Sequence, residues 1–223
     1  MKMVFNVAFR VAFRLATRVV IFGLLLAGPS VFCARPAAAQ TTYFTARAVL
    51  ADFFPKSQAV TFQRFELTAE QRAQLAQRLG YELQKPAYTV YIAKTGDVID
   101  GYAVLDDEPG QHLPITFAVK LSPQGLVQRQ EIMVYRERFG DEVRDPRFRQ
   151  QFVGKTAADP LRPGEEIIAV SGATISSRAM AVGVRRALVL VDELVLSPQR
   201  QQRATPTAMS AAQLPGARAP SRL

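Results

Sequence analysis

Between Tyr88 and Val134, apolar-rich runs are joined by connections too short to carry a helical crossover. YTVYIAK (88–94) and VIDGYAVL (98–105) flank Thr95-Gly96-Asp97, and ITFAVKL (115–121) and GLVQRQEIMV (125–134) flank Ser122-Pro123-Gln124. A parallel pair needs a crossover of a dozen or more residues, so these runs read as an antiparallel meander. Ile115, Phe117, Val119 and Leu121 alternate as in a strand with one buried face.

Helical patterns bracket that block. Thr68 stands at an N-cap position with Gln71 at the capping-box position, and Gly80 follows Leu79 as a stop, which predicts a helix over Thr68–Leu79. Leu75 and Leu79 share a face, while Glu70, Arg72 and Arg78 can point to water. Met180, Val184, Leu188, Val191 and Val195 recur at helical spacing toward the C-terminus. The fold class is therefore α+β: an antiparallel sheet, a helix before it, and a long helix over Thr174–Leu196 packed against it. Residues 40–62 read as a lead-in, with an apolar stretch from Val49 to Phe54 ended by Pro55. The charged stretch 135–155 carries Phe139, Phe148 and Phe152, all three expected in the core, and 156–167 reads as a loop with Pro160, Pro163 and Gly164.

The net charge of +9 belongs to the ends of the chain. Residues 1–39 hold five basic residues and 198–223 hold four arginines, with no acid in either, and the 19 Lys and Arg between them equal the 19 Asp and Glu. A formally neutral middle removes the main argument for nucleic-acid binding. Residues 1–39 read as a signal peptide: basic residues precede VVIFGLLLAG (19–28), and Ala37-Ala38-Ala39 offers a small-residue cleavage site. An exported, periplasmic location follows, with an uncleaved membrane anchor as the alternative. Cys33 is the only cysteine, so cleavage after Ala39 leaves a chain with no disulfides and no thiolate metal ligands. Past Ser197 the tail is aperiodic and rich in Gln, Ala, Pro and Arg, and is expected to be disordered.

AVSGATISSRAM (169–180) crowds small and hydroxyl residues where the last helix begins. With the helix start at or near Ser176, Ser171–Thr174 form the turn into it. The unpaired N–H groups and the dipole at such an end favour an anion. Gly172 and Ala173 would let a phosphate approach the backbone, Thr174, Ser176 and Ser177 add hydroxyl donors, and Arg178 adds charge or points to solvent. On spacing alone, a bare helix cap and a phosphate seat are both open. GxxxxGK[ST] and GxSxG are absent. His112, the only histidine, sits in a turn at Pro109–His112, and Arg136 and Glu137 stand at a strand end.

SGATISS resembles the SGAT-[apolar]-[Ser/Thr]-[Ser/Thr] signature of the FMN-binding domain family. GYAVLDDEPGQHLPITFAV (101–119) and VYRERFGDEVRDPRFRQQFVGK (134–155) resemble that family in the same order. The resemblance covers roughly 63–196, so residues 63–197 are expected to form the domain. It implies FMN joined by a phosphoester to Thr174, with Ser171, Gly172, Ala173, Ile175, Ser176 and Ser177 around the attachment point. It also places His112 near the flavin, while Arg136 and Glu137 either form a solvated strand end or contact the flavin ring or fix the SGAT turn. A flavin transferase using FAD and Mg²⁺ would attach the group and release AMP. Electrons would pass to or from a membrane quinone-linked or cytochrome module. Ile168 departs from the pattern, since the family commonly has an acid three places before the serine. A reversible phosphate-ligand or FMN sensor, and a flavin-dependent reductase of a small substrate, are the alternative functions.

Overall fold

The computed structural model describes residues 40–203. The signal segment expected at 1–39, and residues 204–223 of the basic tail, lie outside the described residues.

Six strands form one antiparallel sheet: β1 (Thr41–Thr42), β2 (Ala59–Glu66), β3 (Ala87–Thr95), β4 (Val98–Pro109), β5 (Pro114–Leu121) and β6 (Val127–Tyr135), in the spatial order β1-β6-β5-β4-β3-β2. β2 to β6 pair as sequence neighbours, the meander that the short connections require. The β4–β5 register sets Tyr102 opposite Leu121, Val104 opposite Val119, Asp106 opposite Phe117 and Glu108 opposite Ile115. Because strand side chains alternate, these pairs share one face, and the larger apolar core forms there. It joins Val104, Ile115, Phe117, Val119 and Leu121 to Leu75 and Leu79 of α2 (Ala69–Leu79), and to Met180, Val184 and Leu188 of α4 (Thr174–Val191). The opposite face carries small residues, Ala93, Ala103 and Ala118, and receives Val49 and Phe53 of α1 (Ala46–Phe53).

α4 packs close on the sheet because Gly183 faces Phe117. A Cβ at that position would stand 2.5 Å from the Phe117 ring. Beyond α4 the helix widens by one turn over Asp192–Leu196 and then continues through Arg203. Asp192 accepts from Arg78 and Arg200 across that turn, and Glu193 accepts from Arg78. Residues 198–203 are thus helical, where the sequence reads as the start of a disordered tail. The lead-in 40–62 is likewise structured. It supplies β1, α1 and half of β2, a strand hidden from periodicity because nearly every residue of it is exposed.

Phe148 of α3 (Pro146–Gln150) and Phe152 are buried in edge contact, with ring centroids 5.4 Å apart. Phe139 is not core, since 74% of it faces solvent. Its carbonyl is held by Tyr135, which fixes the backbone with the ring outward. Among the described residues no helix is long and apolar enough to cross a membrane.

Candidate functional site

The helix α4 begins at Thr174, the start expected for the long C-terminal helix, two residues before the start read from the hydroxyl cluster. Just before it, the Ala173 N–H donates to the Val170 carbonyl at 3.0 Å, closing a turn whose inner residues are Ser171 and Gly172. Gly172 has φ +81°, a left-handed conformation that glycine adopts without steric cost. Ser177 ties turn to helix: its Oγ accepts from the Val170 N–H at 3.0 Å and donates to the Ala173 carbonyl at 2.8 Å.

None of these hydroxyls caps the helix. Ala173 occupies the N-cap and offers no side-chain acceptor. The N–H groups of Thr174, Ile175 and Ser176 precede the first helical hydrogen bond, which runs from the Ser177 N–H to the Ala173 carbonyl. They have no acceptor among the described residues. Thr174 is exposed, and its hydroxyl has no hydrogen-bond partner among those residues. Arg178 is exposed on the same helical side one turn later, without an ion pair among them. Helix side chains lean toward the N-terminus, which brings Arg178 over Thr174. Three free N–H donors, one free hydroxyl and one free guanidinium converge on a place where an anion can sit.

The serines that follow serve the scaffold. Ser176 and Ser177 are buried. Tyr135 Oη donates to the Phe139 carbonyl at 2.6 Å, so at its 2.8 Å contact with Ser176 the serine is the donor. Burial pushes the Tyr135 phenol above its usual range, against the Ser176 bond, which keeps it protonated near neutral pH. Gly140 makes room for this pair, because a Cβ there would lie 2.6 Å from both oxygens.

β6 also reaches the β4–β5 hairpin just beyond its end. Glu137 Oε1 accepts from the N–H groups of His112 and Leu113, the latter at 2.9 Å. Partial burial raises the Glu137 carboxyl, but those two donors outweigh it and leave its pKa below the ordinary value. Arg136 donates to the Pro114 carbonyl at 2.9 Å and to Thr116 at 2.8 Å. Arg136 and Glu137 therefore clamp the hairpin, and the His112 backbone is held while its residue is exposed. The clamp and the helix start share one support, with Tyr135 serving α4 and its near neighbours serving the hairpin.

Sequence reasoning missed Gln151. Its side-chain amide accepts from the Ile168 N–H at 2.8 Å and donates to the Ile168 carbonyl at 3.1 Å, as a neighbouring strand would. That clamp fixes the loop leading into the turn while 72% of Ile168 faces solvent. A lone glutamine in a charged stretch carries no signal of such a role. Ile168, Ile175, Phe139 and Leu113 are all exposed large apolar residues whose backbones belong to this scaffold. Ile175 directly follows Thr174, so the helix start presents an apolar side chain beside its free hydroxyl.

Residues 88–189 match the model of the FMN-binding domain. The chain thus carries a domain of that family, and FMN is the cofactor it takes. No curated protein matches the chain.

Proposed function

Starting from an FMN-binding domain at residues 88–189, we propose that the chain is an exported flavoprotein. Its FMN is joined through the phosphate to Thr174 Oγ1, and it carries electrons between membrane or periplasmic partners. One observation carries the covalent reading: the Thr174 hydroxyl is exposed and unpartnered at a helix start whose three leading N–H groups also lack acceptors. A reversible phosphate site would use the same N–H groups but would have no need of a free hydroxyl.

The residues present fit such a group. The N–H groups of Thr174, Ile175 and Ser176 would hold phosphate oxygens, and Arg178 would balance their charge. Ser171 and Gly172, exposed in the turn, leave the approach open. In the attachment step the Thr174 oxygen displaces AMP from FAD at the flavin-side phosphorus. One P–O bond forms, the pyrophosphate bond breaks, and the threonine proton passes to solvent. A flavin transferase with Mg²⁺ would perform that step. Flavin, once bound, takes one or two electrons and so links one-electron and two-electron carriers. A quinone-linked or cytochrome module would supply and remove them.

Co-expression with a flavin transferase, followed by denaturation, tests the assignment. The wild-type chain should keep flavin fluorescence and show an FMN-sized mass increment. Thr174→Ala should lose both while its melting temperature stays unchanged, because Thr174 supports no described contact. A denatured wild-type chain without flavin overturns the covalent reading.

A further inference from the structure

A second site lies along α4. A cavity of about 500 Å³ opens between the segment after α2, the end of the β4–β5 hairpin and the middle of α4. Tyr81, Leu83, Tyr88, Pro109, Pro114 and Val182 give it flat rings and aliphatic surface. Its volume is that of small-molecule pockets, which are commonly apolar with a few placed polar groups.

Those polar groups form a buried ion cluster at its edge. Arg186 of α4 donates to Asp106 at 2.9 Å, to the Asp107 carbonyl at 3.0 Å and to Glu108. Lys85 reaches the same Asp106 and approaches Asp107 at 3.8 Å. Burial pushes the Glu108 carboxyl up, although Arg186 opposes it. Buried ions are costly to hold, and a buried charged cluster at the edge of a cavity is a candidate for binding a ligand there.

The charge balance narrows the ligand. Arg186 and Lys85 face Asp106, Asp107 and Glu108, and Glu82 also lines the cavity, leaving two negative charges in excess, so an anion is rejected. Lys85 is 45% exposed on its side chain and has three N–H donors, of which one meets Asp106 and one is within reach of Asp107. One donor is left for a neutral acceptor, and a carbonyl oxygen is the common one.

We infer that this cavity binds a neutral, ring-containing molecule bearing a carbonyl group, its ring against Tyr81, Tyr88, Pro109 and Pro114 and its carbonyl oxygen on Lys85. Val182 follows Thr174 by eight residues, or about 12 Å along the helix. The Pro109–Pro114 hairpin wall is the one that Arg136 and Glu137 clamp. Thr174 does not line the cavity, so binding of the ligand does not depend on flavin attachment.

Duroquinone, whose ring has no open position for Cys33 to attack, is a suitable probe. With the full chain it should give saturable NMR shifts centred on Leu83 and Val182, and Thr174→Ala should leave its affinity unchanged. Val182→Trp should fill the cavity and weaken binding at least about tenfold, close to 1.4 kcal/mol. Lys85→Met, which keeps the stem and removes the donors, should weaken it several-fold while the melting curve stays near wild type. Absence of saturable binding, or binding that survives Val182→Trp, overturns the site. Full affinity in Lys85→Met overturns the carbonyl contact.

Discussion

At the start of α2, Thr68 accepts from the Gln71 N–H at 3.2 Å and Gln71 accepts from the Thr68 N–H at 3.0 Å. At the start of α4, Ser171, Thr174, Ser176 and Ser177 stand close together, yet none of them bonds a leading N–H group of the helix. One helix end is closed by two side chains, and the other is left open beside a richer supply of hydroxyls. The difference lies in where the hydroxyls are aimed. α2 spends its threonine on its own backbone, as a structural helix does. α4 spends Ser176 on Tyr135 and Ser177 on the preceding turn, which fixes the shape of the end without filling it. Donors kept open by a rigid frame suit a bound anion, since no protein bond must break first.

The sharpest way to break this contrast is through the frame. Gly140→Ala would drive a methyl into the Tyr135 and Ser176 oxygens, at a φ of +96° that alanine resists. A loss of about 2–4 kcal/mol in denaturant-measured stability is expected, together with poor flavin loading. The closed end responds differently. Thr68→Ala removes the side-chain half of its capping box, the acceptor for the Gln71 N–H, and should cost about 1 kcal/mol while flavin content stays at the wild-type level.

A charge reversal separates the two ends further. Arg178→Glu places an anion near the α4 start, where the helix dipole welcomes it, so stability should shift by less than about 0.5 kcal/mol. The rate of flavin attachment by a transferase should nonetheless fall several-fold, because the phosphate loses its counter-charge. The smallest effect is a pH effect on the hairpin clamp. Glu137 has a depressed pKa in the fold, so its contribution is fully present above the ordinary carboxylate value of 4.5 and is lost as pH falls through the folded value. Amide exchange at His112 and Leu113 should therefore quicken only in acid, below that ordinary value.

Much of this frame is legible in the residues, and the reasons differ from place to place. The β3–β4 and β5–β6 hairpins announce themselves through three-residue turns, and α2 through a capping box that depends only on neighbours. SGAT at the start of α4 is equally local. β2 is hidden because an edge strand exposed on both faces has no apolar alternation to show. Phe139 misleads because a large apolar side chain is ordinarily core, and only the Tyr135 bond to its carbonyl turns it outward. The Arg186 cluster joins residues about eighty positions apart, and no spacing rule reaches that far. Only the acidic run Asp106–Glu108 inside an apolar strand hints at it.

The Gln151 clamp has a consequence for how this surface can change over generations. It grips Ile168 by the backbone N–H and carbonyl, which every residue except proline possesses. The loop is therefore indifferent to the identity of the side chain there, and that side chain points to solvent. Position 168 is a free letter: an acid or an isoleucine can be exchanged there with the path of the chain into Thr174 unaltered.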